Sequence, residues 1–273
     1  MEPIIITENN CEGLHGYNNT IEGNYKLINS KIIFRGRNNK IKFNGNVSLT
    51  GSSINFNADN SLIVINETRH HNLKIALSVH NNNVIYIGKD LFTNKKVQII
   101  LSESTNVLIG DDCLFSRGIV FRTGDAHPIY NALNGLRINP SGSICIGDHV
   151  WIGENAYLLK NTQIGSGSII GANSTITNKL IPSNSIGAGS PLRIIKRDIF
   201  FTKESIHRWT PKIVFDKKNS TKNDFIFTCS PQRGLDLKSI DNLLKTTSSS
   251  AKKEQVLYHN LFESTQKNRF FIP

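Results

Sequence analysis

The sequence is poor in the features that mark the more specialised classes of protein. Its 273 residues include one methionine and two tryptophans, and the four cysteines (Cys11, Cys113, Cys145, Cys229) are scattered with no CxxC spacing. That pattern argues against a disulfide scaffold or a zinc ribbon and for reduced thiols in a cytosolic protein. Cys113 and Cys145 are expected to pack inside or at corners, with no chemistry of their own. The longest apolar runs, such as residues 3–6, fall far short of the ~20 residues that cross a bilayer, so no integral membrane segment is expected. The first residues, Met-Glu-Pro-Ile-Ile-Ile-Thr-Glu, offer no basic n-region, no long apolar h-region and no small-residue cleavage site, and hence no secretory signal. Acidic residues are also scarce, 21 against 32 Lys and Arg, for a formal net charge of +11. An excess of that size suits solubility, an anionic lipid surface or an anionic substrate. The basic residues form no dense block, which disfavours nucleic acid.

A strict repeat is present. Ile146, Ile152, Leu158, Ile164, Ile170 and Ile176 recur every sixth residue, and glycine follows at Gly147, Gly153, Gly165 and Gly171. Small or β-branched residues stand two positions before the aliphatic residue: Val150, Ala156, Thr162, Ser168 and Ser174. Period six fits neither a helix nor an amphipathic strand. It fits a solenoid in which each six-residue unit forms one flat side of a prism and sends one aliphatic side chain to the axis. Glycine or asparagine would supply the positive φ needed at the corners. Three sides then make a coil of about 18 residues that advances by one strand spacing of about 4.8 Å. Upstream, segments such as Ile54-Asn55-Phe56, Val84-Ile85-Tyr86-Ile87-Gly88 and Val107-Leu108-Ile109-Gly110 keep a looser version. Extending the solenoid back to about residue 20 predicts roughly ten coils. An ordinary β-sandwich is the alternative for that half.

Two places break the pattern. Residues 123–140, with His127-Pro128 and Asn131-Ala132-Leu133-Asn134-Gly135, read as an inserted loop. Beyond about residue 200 the character changes: residues 204–273 hold 12 basic and 7 acidic side chains. Leu, Ile and Val at helical spacing over 239–245 and 251–262, split by a Thr-Thr-Ser-Ser-Ser break, predict a small, partly helical C-terminal extension. The chain therefore divides into a coil domain, 1–200, and an extension, 201–273.

With this repeat and the ending Gly189-Ser190-Pro191-Leu192-Arg193-Ile194-Ile195-Lys196, the chain resembles the hexapeptide-repeat acyltransferases. The resemblance covers residues 84–200 well and the earlier coils loosely. It sharpens at Asp125-Ala126-His127-Pro128-Ile129 and at His149-Val150-Trp151-Ile152-Gly153. Within the family the bacterial capsule O-acetyltransferases, particularly those modifying polysialic acid, look closest, and galactoside and maltose acetyltransferases share much of the pattern. The resemblance implies an all-β, left-handed parallel β-helix with an inserted catalytic loop. It implies a homotrimer with active sites between subunits, acetyl-CoA as donor and no metal. Carried over by position, His127 is the general base and Trp151 its active-site companion. Ala172 and Thr177 match positions whose backbone contacts the pantetheine arm, and Arg193 matches a basic residue at the nucleotide end. The family often has Thr-Lys where this chain has Thr177-Asn178-Lys179, so Lys179 stands one residue off. Lys196 is a further candidate for the cofactor.

The residue types suit these roles. A sugar hydroxyl is a poor nucleophile at neutral pH, and histidine is the side chain that serves as base there without large perturbation. The oxyanion formed on attack needs fixed donors, which the backbone N–H groups of a rigid coil could supply. Trp151 offers a flat apolar face and one indole N–H for a thioester, an imidazole or a sugar ring. It could equally be a packing residue on the prism face. Asp125 is a candidate to orient His127, whereas His149 reads as structural. A zinc anhydrase on the same helix needs three converging histidines, for which the sequence gives little support. A non-enzymatic glycan-binding solenoid would need no histidine loop. The charge and the basic tail favour a polymeric anionic acceptor over a small neutral sugar. The extension has three open uses: acceptor surface, trimer lock, or docking of a cytoplasmic enzyme onto a capsule-assembly complex.

Overall fold

The computed structural model describes residues 2–8, 17–70, 72–220, 223–229, 234–264 and 266–273; Cys11 lies outside them. Three sheets form the sides of a prism. The first runs through Ile4–Ile6, Lys31–Phe34, Ser53–Phe56, Ile75–Val79, Val97–Ile100, Val120–Arg122, Tyr157–Leu159 and Thr175–Ile176. The second runs through Thr20–Ile28, Lys40–Thr50, Leu62–Asn66, Val84–Ile87, Asn106–Ile109, Ile144–Ile146, Thr162–Ile164 and Lys179–Ile181. The third holds Phe92–Thr93, Leu114–Phe115, Trp151–Ile152, Ile169–Ile170, Ile186–Gly189 and Leu192–Lys196. Pairing is parallel except where Ile4–Ile6 ends the first sheet and Leu192–Lys196 ends the third, both antiparallel to their neighbours.

Continuous ladders of inward side chains run down the faces and fill the axis. On the first face Ile32, Ile54, Leu77, Ile99, Phe121, Leu158 and Ile176 stack in register. On the second Phe43, Ile65, Ile87, Ile109, Ile146, Ile164 and Ile181 do the same. All are buried, and each such side chain contributes about 1.5–3 kcal/mol by leaving water.

The solenoid makes about seven turns rather than the ten expected. The 18-residue coil holds downstream, but upstream partners lie 22 or 23 residues apart. There the faces are longer and turn two side chains inward, as with Ile32 and Phe34. Strands Thr20–Ile28 and Lys40–Thr50 even bend round a corner without ending, at Gly23 (φ 93°) and Gly45 (φ 81°). A Cβ on Gly23 would lie 1.8 Å from the Phe43 carbonyl oxygen, so both conformation and space demand glycine.

The corner chemistry also differs from the simple expectation. Asparagine does take the left-handed seat, at Asn38, Asn60, Asn82, Asn155, Asn161 and Asn173. The repeat glycines 147, 153, 165 and 171 do not have positive φ. They are small because the next coil presses on them: a Cβ at Gly147 would sit 2.6 Å from the Ser166 nitrogen.

After the hairpin at the end of the third sheet come α1 (Pro211–Asp216), α2 (Leu237–Thr246), α3 (Ser250–Leu257) and a π-helical turn, Tyr258–Phe262. The Asp236 side chain caps α2 by accepting from the Ser239 N–H. Ile240 and Leu244, four residues apart, share one buried cluster with Leu257, Leu261 and Phe270 and with outward residues of the second sheet: Leu62, Val64, Val84, Tyr86, Leu108 and Cys145. The extension thus builds its core on the outer face of the coils. Arg269 locks it there, with bonds to both oxygens of Asp148 (2.8 and 3.0 Å), to Asp111 (2.8 Å), and to the carbonyls of Leu261 and Ser264.

Candidate active site

The coil edge between the first and second sheets carries the inserted loop, which leaves Val120–Arg122 and re-enters at Ile144–Ile146. His127 lies exposed in this loop, and no side chain of the described residues bonds its imidazole. The loop backbone is firmly held. The Asn139 amide donates to Asp125 Oδ2 and to the His127 carbonyl, both at 2.9 Å, and accepts from the Ile129 N–H at 2.7 Å. Lys160, on the same edge one coil below, reaches Asp125 Oδ2 at 2.6 Å. Lys160 and Asn139 together hold the Asp125 carboxyl below its usual range. Asp125 therefore anchors the loop and makes no hydrogen bond to the imidazole it was expected to orient.

One further coil down the same edge stands Thr177. A cavity of about 380 Å³ joins these levels, lined by Arg122, Asp125, Ala126, Tyr157, Lys160 and Thr177 among others. Two of the residues singled out in the sequence, Asp125 and Thr177, therefore face one cavity beside His127. Arg122, Tyr157 and Lys160 escaped the sequence reading. Arg122 and Tyr157 occupy outward strand positions, and the six-residue period singles out only the inward ones.

Trp151 lies elsewhere. It opens a strand of the third sheet, and it is its neighbour Ile152 that points inward. The indole is 38% exposed, in an outward ladder with Phe92, Leu114, Ile169 and Ile186, and its ring lies 5.9 Å from Phe201. No hydrogen bond or ring contact joins Trp151 to His127. Ala172 sits exposed on the third-to-first edge, where its nitrogen backs onto Gly153 one coil above. Arg193 and Lys196 are exposed on the closing hairpin, paired with Ala188 and Ile186. Lys179 is engaged within the chain, its Nζ donating to the Leu192 carbonyl at 2.6 Å.

His149 is structural. It is 2% exposed, its ring lies between Phe201 and Phe225 at 4.1 Å from each, and its nitrogens meet Asp112 (2.7 Å) and the Phe201 carbonyl (3.0 Å). Cys113 and Cys145 are buried, and burial pushes both thiols well above the usual range. Among the described residues no three His, Cys, Asp or Glu side chains converge as a metal site, and no helix is long and apolar enough to cross a membrane.

The family model "Bacterial transferase hexapeptide (six repeats)" matches residues 146–178. The polysialic acid O-acetyltransferase of Neisseria meningitidis is 32% identical over 147 residues, 53% of this chain and 67% of that protein. The chain belongs to the hexapeptide-repeat acyltransferase family.

A second member of this enzyme family, the polysialic acid O-acetyltransferase of Escherichia coli O1:K1, is 34% identical over 104 residues, 38% of this chain and 34% of that protein. The chain thus spans about two thirds of the first relative and one third of the second. The crystal structure of the polysialic-acid-specific acetyltransferase NeuO superposes with a TM-score of 0.59 at 28% identity, covering 73% of this chain and 95% of that one. The prism is the left-handed parallel β-helix of this family.

Proposed function

We propose that this chain is an O-acetyltransferase that moves acetyl from acetyl-CoA to a sugar hydroxyl of a sialic-acid-containing bacterial surface polysaccharide. Its active sites would lie between the subunits of a cytoplasmic homotrimer. The observation that carries the reading is the match to polysialic acid O-acetyltransferases, which in structure extends along 73% of the chain and so well beyond the six-residue repeat. The formal charge of +11 suits an anionic acceptor.

The split placement of the candidate residues favours a shared site. His127 and Thr177 occupy one edge of the prism; Trp151 lies on the third face, and Ala172 on that face's far edge. The loop around His127 also carries exposed Ile129, Tyr130, Leu133, Leu136 and Ile138, an apolar group suited to burial against another copy. In a trimer the His127 edge of one subunit would meet the Trp151 face of the next. Acetyl-CoA would lie along that seam, with the backbone at Ala172 and Thr177 against its pantetheine arm and Arg193 and Lys196 toward its phosphates. Lys179, with one of its three N–H donors on the Leu192 carbonyl, keeps two that could join them.

In the reaction His127 removes the proton of the acceptor hydroxyl as its oxygen attacks the thioester carbon. The tetrahedral intermediate collapses by breaking the C–S bond, and the imidazolium returns the proton to the departing CoA thiolate. The loop clamp fixes the base before substrate arrives, and proton transfer by a positioned base is worth about 10²–10⁴-fold. The test is transfer from labelled acetyl-CoA to a panel of polysialic acid, free sialic acid, neutral capsule polymers and simple galactosides. Label on the polysialic acid supports the reading; label chiefly on galactosides overturns the acceptor. His127→Ala is expected to lower kcat by at least about 10²-fold with acetyl-CoA still bound.

A further inference from the structure

We propose that Asn139 is a positioning residue for the base, acting on His127 through the backbone on both sides of Pro128. The inference rests on the assignment of His127 as the base. Asn139 is 5% exposed, and its amide uses both ends. Nδ2 donates to the His127 carbonyl and to Asp125 Oδ2, while Oδ1 accepts from the Ile129 N–H and, at 3.3 Å, from Arg137 Nε. One side chain therefore brackets the tripeptide His127-Pro128-Ile129, whose middle residue has its φ fixed by the proline ring.

The clamp is in turn tied to the solenoid at two levels. Arg137 Nη1 pairs with Glu103 on the coil above, and Glu103 also accepts from the Ser141 N–H at 2.9 Å. These two partners hold the Glu103 carboxyl down to about 2, so it stays ionised at any working pH. From the coil below, Lys160 grips Asp125. The loop is strung between two rigid turns with Asn139 as the knot. An exposed catalytic loop without such anchors would sample many placements of the imidazole, and a misplacement of about 1 Å can cost about 10²-fold in rate.

The experiment is a mutant cycle on the full chain with labelled acetyl-CoA, run at a temperature where circular dichroism shows every variant folded. Asn139→Ala is expected to lower kcat roughly 10- to 10²-fold while KM for acetyl-CoA stays within about threefold. Asn139→Asp keeps the shape but loses both donors and sets a carboxylate against Asp125, so it should be as impaired as the alanine variant. In the His127→Ala background, Asn139→Ala should change kcat by less than about threefold, because the group it positions is gone. The proposal fails if Asn139→Ala retains kcat within about threefold while His127→Ala does not. It fails equally if Asn139→Asp restores the rate, or if Asn139→Ala costs as much without His127 as with it. Near-normal turnover by His127→Ala is a separate outcome that overturns the base assignment itself.

Discussion

Arg269→Leu is the substitution that best tests how the extension is held to the coils. The guanidinium is 6% exposed and supplies five bonds: two to Asp148, one to Asp111, and one each to the carbonyls of Leu261 and Ser264. Leucine fills part of the volume and leaves Asp148, its side chain only 13% exposed, without its counter-charge. Burial already pushes the Asp148 carboxyl upward against the pull of Arg269. Breaking a buried pair from one side costs about 3–5 kcal/mol, a large share of the roughly 5–15 kcal/mol that holds a domain folded. The loss should fall on α3, the π-helical turn and the tail, since the axial ladders contain none of these residues. Limited proteolysis at low denaturant should therefore cut within 237–264 while the coils stay resistant, and urea unfolding should show an early phase. Asp148→Asn added to Arg269→Leu should recover part of the loss, because a neutral amide can still accept the Asp111 N–H that Asp148 now takes at 2.7 Å. A change below about 1 kcal/mol with unaltered proteolysis would refute the claim that this cluster holds the extension.

Three further outcomes follow from the same structure. Lys253 is fully buried, donates to the Asn60 carbonyl and Asn82 Oδ1, and has its pKa pulled down to about 8 by burial. Its folded value lies below its unfolded value, so the cost of burying the charge is full below pH 8 and fades as pH rises through about 10.5. The difference in urea stability between wild type and Lys253→Met should therefore shift by about 3 kcal/mol in favour of wild type across that window, and a flat difference would sink the reading. Gly147→Ala drives a Cβ to 2.6 Å from the Ser166 nitrogen and should destabilise by about 1–3 kcal/mol in thermal unfolding, whereas alanine tolerated without loss would show that the coils can part. Mixing separately inactive His127→Ala and Trp151→Ala chains under refolding should restore about a quarter of the sites if each is built from two subunits, and none if each is built from one.

The inward ladder from Ile146 to Ile176 was legible because an axial residue has one tolerable chemistry and recurs with the geometry of the prism. The same logic miscounted the turns upstream, where faces with two inward residues stretch the coil to 22 residues and blur the period. Glycine was legible as necessary but misread in cause, since a sequence does not distinguish a residue that needs positive φ from one pressed by the coil beneath. His127 stood out because it lies in the only stretch of the repeat region without the repeat. Asn139, at the far end of that stretch, carries no sign of reaching back across it to residues 125–129. The period alone puts Trp151, Ala172 and Thr177 on their faces and edges, but where the loop folds His127 relative to them was beyond the sequence, because residues 123–140 carry no repeat. The position of the extension was decided only in three dimensions. Helical spacing identified Ile240 and Leu244 as one stripe, but the outward Val64, Tyr86 and Leu108 of the cluster that receives it come from three different coils, brought into line by strand register alone.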